Sequence, residues 1–148
     1  RHKGTSVVEM LQNCVIFNQG IYSFVSDKDR RPDHTIHLRH GEKMLFGKEM
    51  EKGLVQDGFG LKAVVVGQDG YTIDDVLVHD AHCRSNMLHQ QLAMMDGNTL
   101  PLAIGVIRDV EAPIYEEDVD HQTHEVEAKK NFHSLRDMIL AGETWEVK

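Results

Sequence analysis

The order of three segments in the second half of the chain constrains its fold most strongly. Residues 76–79 are predicted to form a strand, and Asp80 is the predicted N-cap of a helix that runs to about Met95. Residues 102–107 form a continuous apolar run that is typical of a buried strand. A strand, a helix and a buried strand in this order make a βαβ unit, so the sequence predicts an α/β fold with parallel pairing.

Shorter elements are predicted on the N-terminal side of this unit. A β-branched run at residues 5–13 is expected to be a buried strand that ends at Cys14. Residues 34–39 and 61–66 are expected to form two further strands. Residues 40–60 combine glycines with charged side chains, which predicts an irregular, loop-rich connection.

Two helices are predicted near the C-terminus. Acidic side chains at residues 116–118 stand at the start of the first helix, and Lys129 and Lys130 stand at its end, a charge order that complements the helix dipole. Ser134 is the predicted N-cap of the second helix, and Gly142 is expected to end it.

The composition excludes several classes of partner. The 148 residues include 24 acidic and 16 basic side chains, and the net charge of −8 provides no basic face for nucleic acid or an anionic membrane. No apolar run approaches the roughly 20 residues that cross a bilayer. Cys14 and Cys83 are too few for a disulfide framework, so we expect reduced thiols in a cytoplasmic protein.

Three histidines recur at every third position, namely His34, His37 and His40. Residues three apart in a strand point to opposite faces, so these side chains are not expected to converge on a metal ion. Solvated or locally hydrogen-bonded histidines are the favoured interpretation.

A second group of metal-type side chains lies at the predicted strand-to-helix corner, and it comprises His79, His82 and Cys83. Such corners are where α/β sheets place ligands, which makes a small metal or thiol site an open alternative. Asp80 acting as a helix cap and Cys83 filling the core would explain the same residues without any ligand.

Longer strings carry more information than these short patterns. Residues 2–18 (HKGTSVVEMLQNCVIFN) closely resemble a segment of the beta subunits of 2-oxoacid:ferredoxin oxidoreductases. Further strings resemble the same family in the same order, at residues 38–47 (LRHGEKMLFG), 77–81 (LVHDA), 105–108 (GVIR) and 144–147 (TWEV). The chain is most similar to the 2-oxoglutarate type.

The resemblance implies a fold and a division of the chain. It implies the C-terminal part of a doubly wound sheet that binds thiamine diphosphate, followed by a C-terminal α/β extension. Residues 1–33 would be the end of the thiamine-binding domain, including the strand with the cluster ligand, and residues 34–148 would be the extension. Because Arg1 is not an initiator methionine and a predicted strand follows at once, we expect a chain cut from something longer.

The resemblance also implies cofactors, partners and one site residue. Such enzymes use thiamine diphosphate with magnesium and a [4Fe–4S] cluster to convert a 2-oxoacid and coenzyme A into an acyl-CoA, and they pass the electrons to ferredoxin. An alpha subunit completes the enzyme. Cys14 matches one of the family's cluster-ligand cysteines, whereas Cys83 matches none. The other ligands and the magnesium motif are absent, so we expect the chain alone to be inactive.

Two alternatives stay open beside this interpretation. One is a small metal-binding or thiol protein that uses His79, His82 and Cys83. The other is a module for subunit contact, with residues 40–60 and the acidic C-terminal helix as its docking surface.

Overall fold

The structure is a computed structural model, and it describes residues 2–130, 133–143, 145 and 147. The chain forms two compact units. One unit is Val7–Val110, and the other combines the residues on either side of it.

The larger unit contains short helices and two small sheets. Its helices are α1 (Ser23–Ser26), α2 (Arg31–His34) and α3 (Met87–Ala93), with a 3₁₀ turn at Ile73–Asp75. Its strands are β1 (Thr35–Leu38), β2 (Leu45–Phe46), β3 (Lys52–Asp57), β4 (Gly60–Val65) and β5 (Leu102–Gly105). The expected mixture of helices and strands is confirmed. The doubly wound thiamine-binding sheet stays a prediction, as does the division at residue 33.

One of the two sheets is a parallel pair of strands. β1 pairs with β5 in parallel, with Thr35 opposite Leu102 and Leu38 opposite Gly105. The predicted parallel pairing is therefore confirmed, and the strand predicted at residues 102–107 is present over Leu102–Gly105, but its partner is β1. Residues 76–79 form only an isolated bridge, in which Val78 lies opposite Lys43. That part of the βαβ prediction is wrong, because a local apolar pattern does not specify which distant segment supplies the hydrogen bonds.

The prediction of an irregular loop at residues 40–60 is also wrong, because much of this segment forms strands. β2, β3 and β4 form a three-stranded antiparallel sheet in that order. The apolar residues Leu54 and Val55 lie in β3 and are 0% and 3% exposed, so burial overrides the local preference of the flanking glycines for turns. Close packing explains why position 53 is a glycine, because a Cβ atom there would lie 2.5 Å from Cγ2 of Val76.

A single apolar cluster joins the two sheets and α3. Its fully buried members include Ile36 from β1, Leu54 from β3 and Leu92 from α3, each at most 1% exposed. Burying such side chains supplies roughly 1.5–3 kcal/mol each, so this cluster accounts for much of the unit's stability.

The helix predicted to begin after Asp80 starts later than expected. α3 begins at Met87, and Asn86 is its N-cap residue. The Oδ1 atom of Asp80 instead accepts a hydrogen bond from the backbone N–H of His82 at 3.0 Å. Aspartate forms such local turns as readily as helix caps, which explains the error.

The predicted strand at residues 5–13 is also wrong. The segment has no regular secondary structure, and Val7, Val8 and Met10 are 82% exposed or more. A strand exists only where a neighbour accepts its backbone hydrogen bonds, and no described residue pairs with this segment as a strand. The segment therefore has the composition of a strand but does not belong to either sheet.

The C-terminal unit contains the two helices that the sequence predicts. α4 is Tyr115–Lys129, with three acidic residues in its first turn and Lys129 in its last. α5 is Leu135–Leu140, and Ser134 caps it by accepting a hydrogen bond from the N–H of Asp137 at 3.1 Å. The Asp137 carboxylate accepts the N–H of Ser134 in return, which completes a capping box.

The end of β5 provides a test of the parallel pair. Gly105 has φ +102, and a Cβ atom there would lie 2.7 Å from the backbone oxygen of Leu38. Gly105→Ala is expected to lower the free energy of unfolding by about 1–3 kcal/mol. Gly60→Ala is the matched control, since a Cβ there meets only the oxygen of Asp57 at 3.7 Å. Urea denaturation measures both, and equal midpoints for the two variants would contradict the described β1–β5 register.

Candidate functional site

Cys14 lies in a tight turn rather than at the end of a strand. It forms an isolated bridge with Asn18, whose N–H donates to the carbonyl oxygen of Cys14 at 2.9 Å. The thiol is exposed. Hydrogen bonds from the backbone N–H groups of Phe17 and then Ile16 lower the pKa of the Cys14 thiol.

Backbone donors of this kind suit a metal-bound thiolate. The thiolate, not the thiol, is the form of cysteine that binds metals, and hydrogen bonds to sulfur tune the reduction potential of an iron–sulfur cluster. The side chains of Ile16 and Phe17 are 79% and 89% exposed. Cys14 therefore has an exposed sulfur with backbone donors, which is compatible with metal binding.

The lowered pKa predicts how Cys14 reacts. Because the folded turn favours the thiolate, alkylation of Cys14 by iodoacetamide should reach half its maximal rate at a lower pH in the folded chain than in the denatured chain. Peptide mapping by mass spectrometry measures the rate at this cysteine as a function of pH. A midpoint that is equal or higher in the folded chain would contradict the described turn.

The second candidate group is His79, His82 and Cys83. The sequence left open a shared metal or thiol site for them, but the fold does not group these three side chains. His79 is 1% exposed, and its Nε2 lies 2.9 Å from the carbonyl oxygen of Val106. His82 and Cys83 are exposed. Because a carbonyl oxygen only accepts, Nε2 of His79 carries a hydrogen and is unavailable as a ligand.

A different set of histidines meets at this corner. His40 follows β1, and its ring centroid is 4.3 Å from that of His82. Asp80 contacts both residues. Its Oδ1 is 3.4 Å from Nδ1 of His40 and also accepts a hydrogen bond from the backbone N–H of His82. The corner lies at the carboxyl ends of the parallel strands, where ligands of α/β sheets bind.

The sequence predicts that His34, His37 and His40 point in different directions, and their side chains do lie apart. Nδ1 of His34 lies 2.7 Å from the carbonyl oxygen of Gly97, and His37 is an exposed residue of β1. His40 contacts His82 instead of either of them.

Two kinds of feature are absent from the part of the chain that the structure describes. Within residues 2–130, 133–143, 145 and 147, no three or more histidine, cysteine, aspartate or glutamate side chains are grouped to hold a metal ion. None of the helices in this described part of the chain is both long and apolar enough to span a membrane.

The chain is similar in sequence to part of a known protein. The chain is 29% identical over 150 residues to 2-oxoglutarate oxidoreductase subunit KorB of Mycobacterium tuberculosis, and the match covers 99% of the chain but 39% of that protein. No family model matches the chain, and no solved structure gives a significant match. A match of this extent is consistent with the predicted C-terminal portion. The resemblance recognised in the sequence is thus confirmed: over nearly its whole length the chain is similar to part of a 2-oxoglutarate oxidoreductase subunit.

Proposed function

We propose that the chain is part of the beta subunit of a 2-oxoacid:ferredoxin oxidoreductase of the 2-oxoglutarate type. The match to a 2-oxoglutarate oxidoreductase subunit over 99% of the chain carries this proposal. The chain spans 39% of that relative, so activity, substrates and partners belong to the proposal as a whole. An alpha subunit, coenzyme A and ferredoxin are the partners that it entails.

Cys14 is proposed as one ligand of a [4Fe–4S] cluster. Such a cluster is usually held by four thiolates, and Cys14 offers one that is exposed and stabilised by backbone N–H groups. In the complete enzyme, thiamine diphosphate with magnesium would supply the carbon chemistry and the cluster would carry the electrons. The role of this chain is to hold the Cys14 sulfur in the turn and to donate hydrogen bonds to it from the backbone N–H groups of Phe17 and Ile16.

The enzymatic proposal has a direct test in the assembled enzyme. A preparation that contains the complete beta subunit, including this chain, together with the alpha subunit should reduce ferredoxin when 2-oxoglutarate and coenzyme A are both present. Omitting coenzyme A serves as the control. Ferredoxin reduction that requires neither compound would argue against the proposal.

The isolated chain should behave differently from the enzyme. A cubane cluster held by one cysteine lacks most of its ligands, so the purified 148-residue chain should contain no stoichiometric iron after anaerobic reconstitution. Iron and acid-labile sulfide assays measure this. A stoichiometric cluster in the isolated chain would show that Cys14 does not depend on ligands from elsewhere.

A further inference from the structure

His40 and His82 form a pair that the proposed function does not use. Their ring centroids are 4.3 Å apart, with an angle of 54° between the ring planes. Both rings are accessible, since the His40 side chain is 50% exposed and His82 is an exposed residue. The pair lies beyond the carboxyl ends of β1 and β5, apart from the Cys14 turn in sequence.

The neighbours of each ring determine which nitrogen carries the hydrogen. Nδ1 of His82 is 2.6 Å from the carbonyl oxygen of Asp109, which only accepts hydrogen bonds. Nδ1 of His82 therefore carries the hydrogen, and Nε2 of the neutral ring has a free lone pair. Nδ1 of His40 faces the Asp80 carboxylate at 3.4 Å, and an ionised carboxylate likewise favours the hydrogen on Nδ1.

This arrangement is the one found around metal-binding histidines. A histidine ligand usually donates its second ring N–H to a carboxylate or a backbone carbonyl, which fixes the tautomer and the ring orientation. His40 faces the Asp80 carboxylate and His82 the Asp109 carbonyl. The Asp80 carboxylate also accepts the backbone N–H of His82 at 3.0 Å, so the same carboxylate contacts both residues.

We propose that His40 and His82 bind one divalent transition-metal ion through their Nε2 atoms. Imidazole ligands suit zinc, copper, nickel and cobalt, whereas magnesium and calcium prefer oxygen. Because no group of three or more metal-type side chains is found among the described residues, solvent would complete the coordination of the ion. The site is independent of the iron–sulfur proposal, since it uses neither cysteine.

Cobalt(II) titration of the 148-residue chain tests the proposal. The chain should bind one equivalent, with visible d–d absorption and without the thiolate-to-cobalt charge-transfer band that cysteine ligands give. His40→Ala and His82→Ala should each weaken cobalt binding at least about tenfold, because one remaining imidazole cannot chelate the ion. The double variant should therefore bind cobalt about as weakly as each single variant. His37→Ala is the matched control, as His37 is exposed on β1, and it should bind normally.

Asp80→Asn gives a second readout. It keeps the size of the side chain but removes the charge beside His40, and it should weaken cobalt binding by about 10–100-fold if the carboxylate orients the ligand. Circular dichroism confirms that each variant is folded. Absence of saturable binding, a thiolate charge-transfer band, or equal loss in His37→Ala would overturn the proposal.

Discussion

Replacing Cys14 by serine in the assembled enzyme is expected to lower ferredoxin reduction by at least about tenfold. Serine has a similar shape, but its hydroxyl does not ionise at neutral pH and does not replace a thiolate in a cluster. Because Cys14 is exposed, the subunit with Cys14→Ser should still fold and assemble. The measurement is the rate of ferredoxin reduction with 2-oxoglutarate and coenzyme A at saturation.

Cys83→Ser is the matched control for this experiment. Cys83 is also exposed, and the family resemblance gives it no ligand role. It should retain the activity of the unchanged enzyme. Equal activity in Cys14→Ser and the unchanged enzyme would argue against the cluster role of Cys14.

Leu92→Ala is expected to destabilise the larger unit by about 2–5 kcal/mol. Leu92 lies on α3, is 0% exposed and belongs to the apolar cluster formed with both sheets. Truncation therefore removes buried contacts and leaves a cavity that the neighbouring side chains fill only in part. The urea midpoint should fall without a change in the slope of the transition.

Met94→Ala provides the comparison for Leu92→Ala. Met94 follows α3 directly and is 83% exposed, so its truncation should change the free energy of unfolding by less than about 0.5 kcal/mol. A similar loss for both variants would contradict the described orientation of α3 towards the core.

Local sequence signals predicted the elements that depend on neighbouring residues. The charge order of residues 116–129 indicated α4, and Ser134 was correctly predicted as the cap of α5. β4 and β5 were indicated by short apolar runs that do form strands. For the two helices the determining interactions lie within one or two turns, so a pattern in a single segment is sufficient. For β4 and β5 the apolar run indicates a buried strand but not its partner.

Long-range pairing was not predictable in the same way. β1 replaces residues 76–79 as the partner of β5, and residues 5–13 have strand composition without a strand neighbour. Residues 40–60 form much of a sheet despite their glycines, because burial of Leu54 and Val55 depends on distant parts of the chain. Tertiary contacts override local propensity at all three places.

The candidate site shows the same limit. The family resemblance singled out Cys14, but the backbone donors at Ile16 and Phe17 follow from a turn that the predicted strand did not include. The corner at residues 79–83 was recognised as a ligand position, whereas the approach of His40 to His82 required the fold. No local sequence signal links these two histidines, since one follows β1 and the other precedes α3.

The iron content of the assembled enzyme tests the central claim most directly. Iron and acid-labile sulfide should be determined per alpha–beta pair in the unchanged enzyme, in Cys14→Ser and in Cys83→Ser, all purified without oxygen. Cys14→Ser is expected to lose most of the iron of one [4Fe–4S] cluster, while Cys83→Ser retains it. Unchanged iron in Cys14→Ser, or loss of iron only in Cys83→Ser, would contradict the assignment of Cys14 as a cluster ligand.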